Sequence, residues 1–110
     1  MKYSNPRTTS PKNFASIDNI DKKCEYLCGM ALYGDEPEFV KLECYKLIRH
    51  DNPNLREVAV ISLGHLAINK SVNWSPKDID LLKDLKKIHQ DLEGVINDTL
   101  GDIQIMNNSK

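Results

Sequence analysis

Three cysteines and three histidines carry the most chemistry in this chain: Cys24, Cys28, Cys44, His50, His65 and His89. A thiol beside an imidazole makes a nucleophile and its base, and the same donors hold zinc when four of them converge. Neither use has the right spacing here. There is no C-x-x-C and no H-x(3–5)-H, and Cys24 and Cys28 stand one helical turn apart, as neighbours on a helix face do. An odd number of cysteines does not make a disulfide scaffold, so reduced, buried thiols are expected. Loops of the G-x-G-x-x-G and G-x-x-x-x-G-K-[ST] types are absent as well. No catalytic residue, metal or cofactor is assigned, and the chain is read as a non-enzyme. A small hydrolase using Cys and His is the weakest alternative, dismissed if replacing all three cysteines changes nothing.

The remaining chemistry is charge. Lys83, Lys86, Lys87 and His89 cluster near one another but are interleaved with Asp78, Asp80 and Asp84, the pattern of a solvated helix face. Residues 91 to 106 differ, holding Asp91, Glu93, Asp98 and Asp102 with no Lys or Arg. Acids at a helix start favour the dipole, but Asp98 and Asp102 lie further along and form a like-charged i,i+4 pair. The whole chain has 15 basic and 16 acidic residues, net −1, which disfavours direct nucleic-acid binding. Residues 16 to 109 hold eleven basic against sixteen acidic, net −5, because three of the other basic residues lie in the first fifteen positions.

The elements that position these side chains read as helices throughout. With 110 residues, 40% hydrophobic and 28% charged, there is material for one core. Residues 1–15, with two prolines and a Thr-Thr-Ser cluster, read as a flexible N-terminal tail, 16–106 as one helical domain, and 107–110 as a C-terminal tail. No membrane span or secretory leader is seen, so a cytoplasmic location is expected.

Ile17, Ile20, Cys24, Leu27, Cys28 and Ala31 form the stripe of a first helix that stops at Gly34. A second is expected from the N-cap Asp35, with Pro37 in its first turn and Val40, Cys44, Leu47 and Ile48 inward. Asn52-Pro53 opens a third, apolar on most faces and therefore central. Ser75-Pro76-Lys77-Asp78 is a capping-box variant for the fourth, with Trp74 as a hydrophobic staple on Ile79. The fifth starts near Asp91 and reaches about Met106.

Helices three and five align at an offset of 37: Leu55 with Leu92, Val58 with Val95, Ala59 with Ile96, Ser62 with Thr99, Leu63-Gly64 with Leu100-Gly101, and Leu66 with Ile103. Helices two and four align at about 40, pairing Leu42 with Leu82, Tyr45 with Leu85 and Ile48 with Ile88. A hairpin of 37 to 40 residues repeated twice after one leading helix predicts a short right-handed α-solenoid of about five helices. The paired glycines predict close helix packing.

The run Asn52-Pro53-Asn54-Leu55-Arg56-Glu57-Val58-Ala59-Val60-Ile61-Ser62-Leu63-Gly64-His65-Leu66-Ala67 resembles the second helix of a HEAT-type repeat, in which Asp/Asn-Pro is followed by Val-Arg, Ala and Leu-Gly. It departs from that pattern in placing Arg56 before the valine and in the lack of a proline in the second unit. The layout, one helix and two hairpins over about 100 residues, is similar to small bacterial HEAT-like proteins. Some of those are immunity proteins against polymorphic or contact-dependent growth inhibition toxins. The resemblance implies a toxin–antitoxin partnership with a protein toxin domain; a general adaptor or assembly subunit is the alternative.

Second helices of stacked repeats line the binding face of a solenoid. The residues expected there are Glu57, Val60, Ile61, His65 and Ile68 from helix three, with Glu93, Asn97, Asp98, Asp102 and Ile105 from helix five. His65 and Asp102, flank residues of equivalent helices, are expected to form a charge-assisted pair. Aliphatics rimmed by acids suit a basic protein partner. Pairing of two chains, if it occurs, is expected where an uncapped stack leaves apolar surface.

Overall fold

The computed structural model describes residues 17–69 and 72–108, and its helices begin where a capping side chain or a proline sets them going. The Asn19 side chain accepts the Lys22 backbone N–H at 3.0 Å to open α1 (Ile20–Tyr33). Gly34 closes α1: a Cβ there would lie 2.6 Å from the Met30 carbonyl oxygen that its own N–H bonds, so close approach dictates glycine. For α2 (Pro37–Leu47) the expected cap at Asp35 is displaced by one residue. Glu36 holds the N-cap position with no side-chain hydrogen bond, and Pro37, whose ring presets a helical φ and needs no N–H partner, begins the helix.

Asn52 caps α3 (Pro53–Asn69) as expected, its Oδ1 accepting the N–H groups of Asn54 at 2.9 Å and Leu55 at 3.1 Å. α4 (Pro76–Ile88) follows, then a single 3-10 turn at Gln90–Leu92 and α5 (Glu93–Asn108). The final helix runs two residues past its expected end at Met106. The N-terminal tail expected over 1–15, together with residues 70, 71, 109 and 110, lies outside the described residues.

The fold is all-α, with no strand among the described residues. α3 is the middle element, packed between α1 and α5 and backed by α2, while α4 packs on α5. This explains why α3 is apolar almost all round. It buries Leu55, Ala59, Val60, Leu63, Leu66 and Ala67, and meets Leu27 of α1, Ile48 just after α2, Leu82 of α4, and Ile96 and Ile103 of α5 in one core. Each such Leu or Ile stabilises the fold by about 1.5–3 kcal/mol on burial, so a polar residue at Leu63 or Leu66 would unfold the centre first. Among the described residues no helix is long and apolar enough to cross a membrane.

Burial tests the internal repeat residue by residue. At the offset of 37 the α3–α5 pairs agree except the glycines: Leu55 and Leu92, Ala59 and Ile96, Ser62 and Thr99, Leu63 and Leu100, Leu66 and Ile103 are buried together, Val58 and Val95 are both half-buried, but Gly64 is buried and Gly101 half-buried. The offset of about 40 fails for α2 and α4, since it pairs exposed Leu42 with buried Leu82, and buried Ile48 with Ile88 at 73% exposure. An offset of 38 restores agreement: Val40, Cys44 and Leu47 then match Asp78, Leu82 and Leu85, all buried, and exposed Leu42 matches exposed Asp80. Hydrophobicity alone misaligned the hairpins because Asp78, a carboxylate, occupies a core position.

Candidate functional site

With α1, α2 and α5 covering three sides of α3, one narrow stripe of that helix faces outward. It runs along Glu57, Ile61, His65 and Ile68 at steps of four and three, so Ile68 stays 51% exposed despite a central helix. Beside it, α5 shows Glu93, Asn97, Asp98 and Ile105, the last 63% exposed. Where the stripes meet, Ile61, Gly64, His65, Val95, Asp98, Thr99 and Asp102 line a hollow of about 170 Å³. Four of the ten residues expected on the binding face therefore converge: Ile61, His65, Asp98 and Asp102. Gly64, Val95 and Thr99 complete the hollow; Val95 and Thr99 were missed, and their matches to Val58 and Ser62 were the signal for them.

Val60 is corrected. It is fully buried, a core residue whose carbonyl accepts the Thr99 hydroxyl at 3.1 Å, because its side of α3 is covered by neighbouring helices. Glu57, Ile68, Glu93 and Ile105 are exposed around the hollow without lining it. Asn97 is drawn toward α4, its Oδ1 accepting Lys86 Nζ at 3.0 Å. The expected His65–Asp102 pair does not form, although both line the hollow. Asp102 instead folds over Gly64: a Cβ on that glycine would stand 3.2 Å from Asp102 Oδ2 and 3.3 Å from Thr99 Oγ1. Close packing thus holds for Gly64 but not for its repeat equivalent, Gly101, around which nothing lies within 4 Å.

Ion pairs among the described residues are Lys41–Asp78, Lys46–Glu43 and Lys87–Asp84. Glu57, Glu93, Asp98 and Asp102 take part in none of them, so these acids have no ion-pair partner among the described residues.

A second cluster joins α2 to the head of α4. Asp78 accepts the Ser75 N–H at 2.7 Å, the Ser75 hydroxyl at 3.3 Å, Lys41 Nζ at 3.2 Å and the phenol of Tyr45. Lys41 Nζ also donates to the Asn73 carbonyl at 2.7 Å and lies 4.6 Å from the centre of the Trp74 ring. Burial pushes the Asp78 carboxyl up, but the bonds from Tyr45, Ser75 and Lys41 outweigh it and hold it below the usual carboxylate range. Burial and the same carboxylate push the Tyr45 phenol up. Every polar group of this cluster except the Trp74 indole N–H is satisfied inside the protein, so it serves as a tie between helices.

Two thiols, Cys24 and Cys44, run opposite to activation. Burial, with Asp21 adding, raises Cys24, and burial raises buried Cys44. A nucleophilic cysteine needs the reverse shift. Among the described residues no group of three or more His, Cys, Asp or Glu side chains is placed to hold a metal. His50 is used locally, its Nδ1 accepting the Asn52 N–H at 2.9 Å, and Arg56 fastens the same turn through the carbonyls of His50 and Asp51, both at 3.0 Å.

A larger apolar recess lies elsewhere. Ile48, Arg49, Lys77, Asp80, Leu81, Asp84, Leu85, Ile88 and His89 line a groove of about 610 Å³ between the end of α2 and α4. The sequence offset of about 40 hid it by matching Ile88 to buried Ile48; the register of 38 that burial gives leaves Ile88 beyond the buried stripe. No protein family, curated protein or solved structure matches this chain.

Proposed function

We propose that this chain is a protein-binding module that takes a basic site of a partner onto the α3–α5 face. What supports this is one observation: Asp98 and Asp102 flank a small hollow with His65 and Ile61, on a face whose acids have no ion-pair partner among the described residues and which exposes Ile68 and Ile105. Carboxylates steer a cationic partner, and the isoleucines give the contact apolar area once it docks.

More specifically, the module is an immunity protein of a small HEAT-like α-solenoid type, and its partner is a toxin domain. Its five-helix layout and the Asn-Pro, Ala and Leu-Gly pattern of α3 are similar to such proteins. For a toxin that cuts nucleic acid, the carboxylates of Asp98 and Asp102 would stand where substrate phosphates bind.

The test begins with capture of the partner from native cells, then expression of that partner alone in a naive host. Killing that is relieved by co-expression of this chain supports the immunity reading. A benign partner makes the chain an adaptor instead. In either case Asp98→Lys with Asp102→Lys abolishes the complex, and a complex that persists removes the acidic face as its site.

A further inference from the structure

The α2–α4 groove shares no residue with the hollow on the α3–α5 face, and its charges are ordered. Along the lining face of α4 come Lys77, Asp80, Leu81, Asp84, Leu85 and Ile88, three turns of helix. Ile88 is 73% exposed at the foot of this face, and Ile48, Leu81 and Leu85 form an apolar floor. A face of this kind on the outside of a monomer marks an interaction site.

The order of charge identifies the occupant. If two copies cross with their α4 helices antiparallel about a point between Asp80 and Leu81, Lys77 of each copy stands opposite Asp84 of the other, and Leu81 of each copy lies beside Asp80 of the other at the crossing. A two-fold contact repeats every pair, so both ion pairs form together. A parallel crossing would instead oppose Asp80 to Asp80 and Asp84 to Asp84, which is repulsive. Neither charge is committed strongly within the chain. Lys77 makes none of the ion pairs among the described residues, and Asp84 has only a 3.9 Å contact with Lys87 between two well-exposed side chains.

We propose that the α2–α4 groove is the interface of a homodimer, built on reciprocal Lys77–Asp84 pairs around the Leu81 and Ile88 surface. The dimer leaves the α3–α5 face free.

Light scattering and sedimentation of the full chain across a concentration series test this. The expected mass rises from 12.5 kDa toward twice that value. Lys77→Asp alone, or Asp84→Lys alone, weakens dimerisation about tenfold, because each reversal places like charges together at two symmetric positions. The double exchange Lys77→Asp with Asp84→Lys restores it, and Ile88→Asp abolishes it. All these positions are on the surface, and helical circular dichroism verifies that each variant is folded. A chain that stays at 12.5 kDa at every concentration overturns the proposal, as does a dimer indifferent to both single reversals. Loss or retention of the partner complex is a separate readout, since Asp98 and Asp102 are untouched.

Discussion

The phenol of Tyr45 on α2 donates to the Asp78 carboxylate at the head of α4, and the same carboxylate closes the capping box with Ser75. One side chain thereby starts a helix and fixes where that helix sits. With Lys41 stacked above Trp74, the cluster gives α2 and α4 a polar joint at a place where the repeat register calls for an apolar contact.

Asp78→Ala should therefore destabilise the fold by about 3 kcal/mol, since it removes the carboxylate that the half-buried Lys41 ammonium and Tyr45 phenol share and that closes the capping box. Tyr45→Phe removes one bond to the charged carboxylate and should cost about 1.5 kcal/mol. Asp84→Asn, which breaks an exposed pair, should cost less than about 0.5 kcal/mol. Urea denaturation followed by circular dichroism measures all three. Equal losses for Asp78 and Asp84 would show that the joint carries no special weight.

The Asp78 carboxyl is held lower in the folded chain than in the unfolded one. Its contribution to stability is then fully present above the unfolded value, near about 3.9, and is lost as pH falls through the lower folded value. Thermal melts taken downward from about pH 5 should show the wild type, more stable at neutral pH, converging on Asp78→Asn as pH falls below the ordinary carboxylate range. A constant gap between the two curves would contradict the assignment.

Much of this was legible in the sequence. The Asn52-Pro53 start, the stop at Gly34 and the α3–α5 register follow from local rules of capping, close approach and 3.6-residue periodicity, and the structure keeps each of them. The long-range facts were not legible. Val60 looked outward on a helical wheel, but which sides of α3 are covered depends on α1, α2 and α5 arriving around it. Asp78 read as a capping residue and as one acid of a solvated face, yet it is buried; its bonds to Lys41 and Tyr45 span 37 and 33 residues of sequence. The gathering of Ile61, His65, Asp98 and Asp102 was within reach because equivalent positions of two repeats meet when the repeats lie side by side.

The two repeat-equivalent glycines should respond differently to alanine. Gly101 lies inside α5 with open space around its missing Cβ, so Gly101→Ala should stabilise by about 0.5–1 kcal/mol through helix propensity alone. At Gly64 the new methyl presses on Asp102 Oδ2, which can swing, and on Thr99 Oγ1, which the Val60 carbonyl holds in a buried site. Gly64→Ala should therefore yield less than Gly101→Ala, or destabilise. Denaturation midpoints that rise equally for both would mean that α3 and α5 have slack at this contact.

Partner association should bear the mark of a face whose acids have no ion-pair partner among the described residues. Asp98 and Asp102 sit at the hollow, where a docked cation loses water, whereas Glu93 is exposed beyond its edge. Reversing Glu93 to Lys should slow association and flatten its dependence on salt, with dissociation almost unchanged, because a rim charge acts through steering. Asp102→Asn should raise the dissociation rate, by about tenfold or more, through loss of a charge-assisted contact. Stopped-flow association and surface-bound dissociation at two ionic strengths separate these effects. If Glu93 and Asp102 alter the same rate constant to the same degree, the hollow is only a dent in a uniformly charged surface, and the partner's basic group does not enter it.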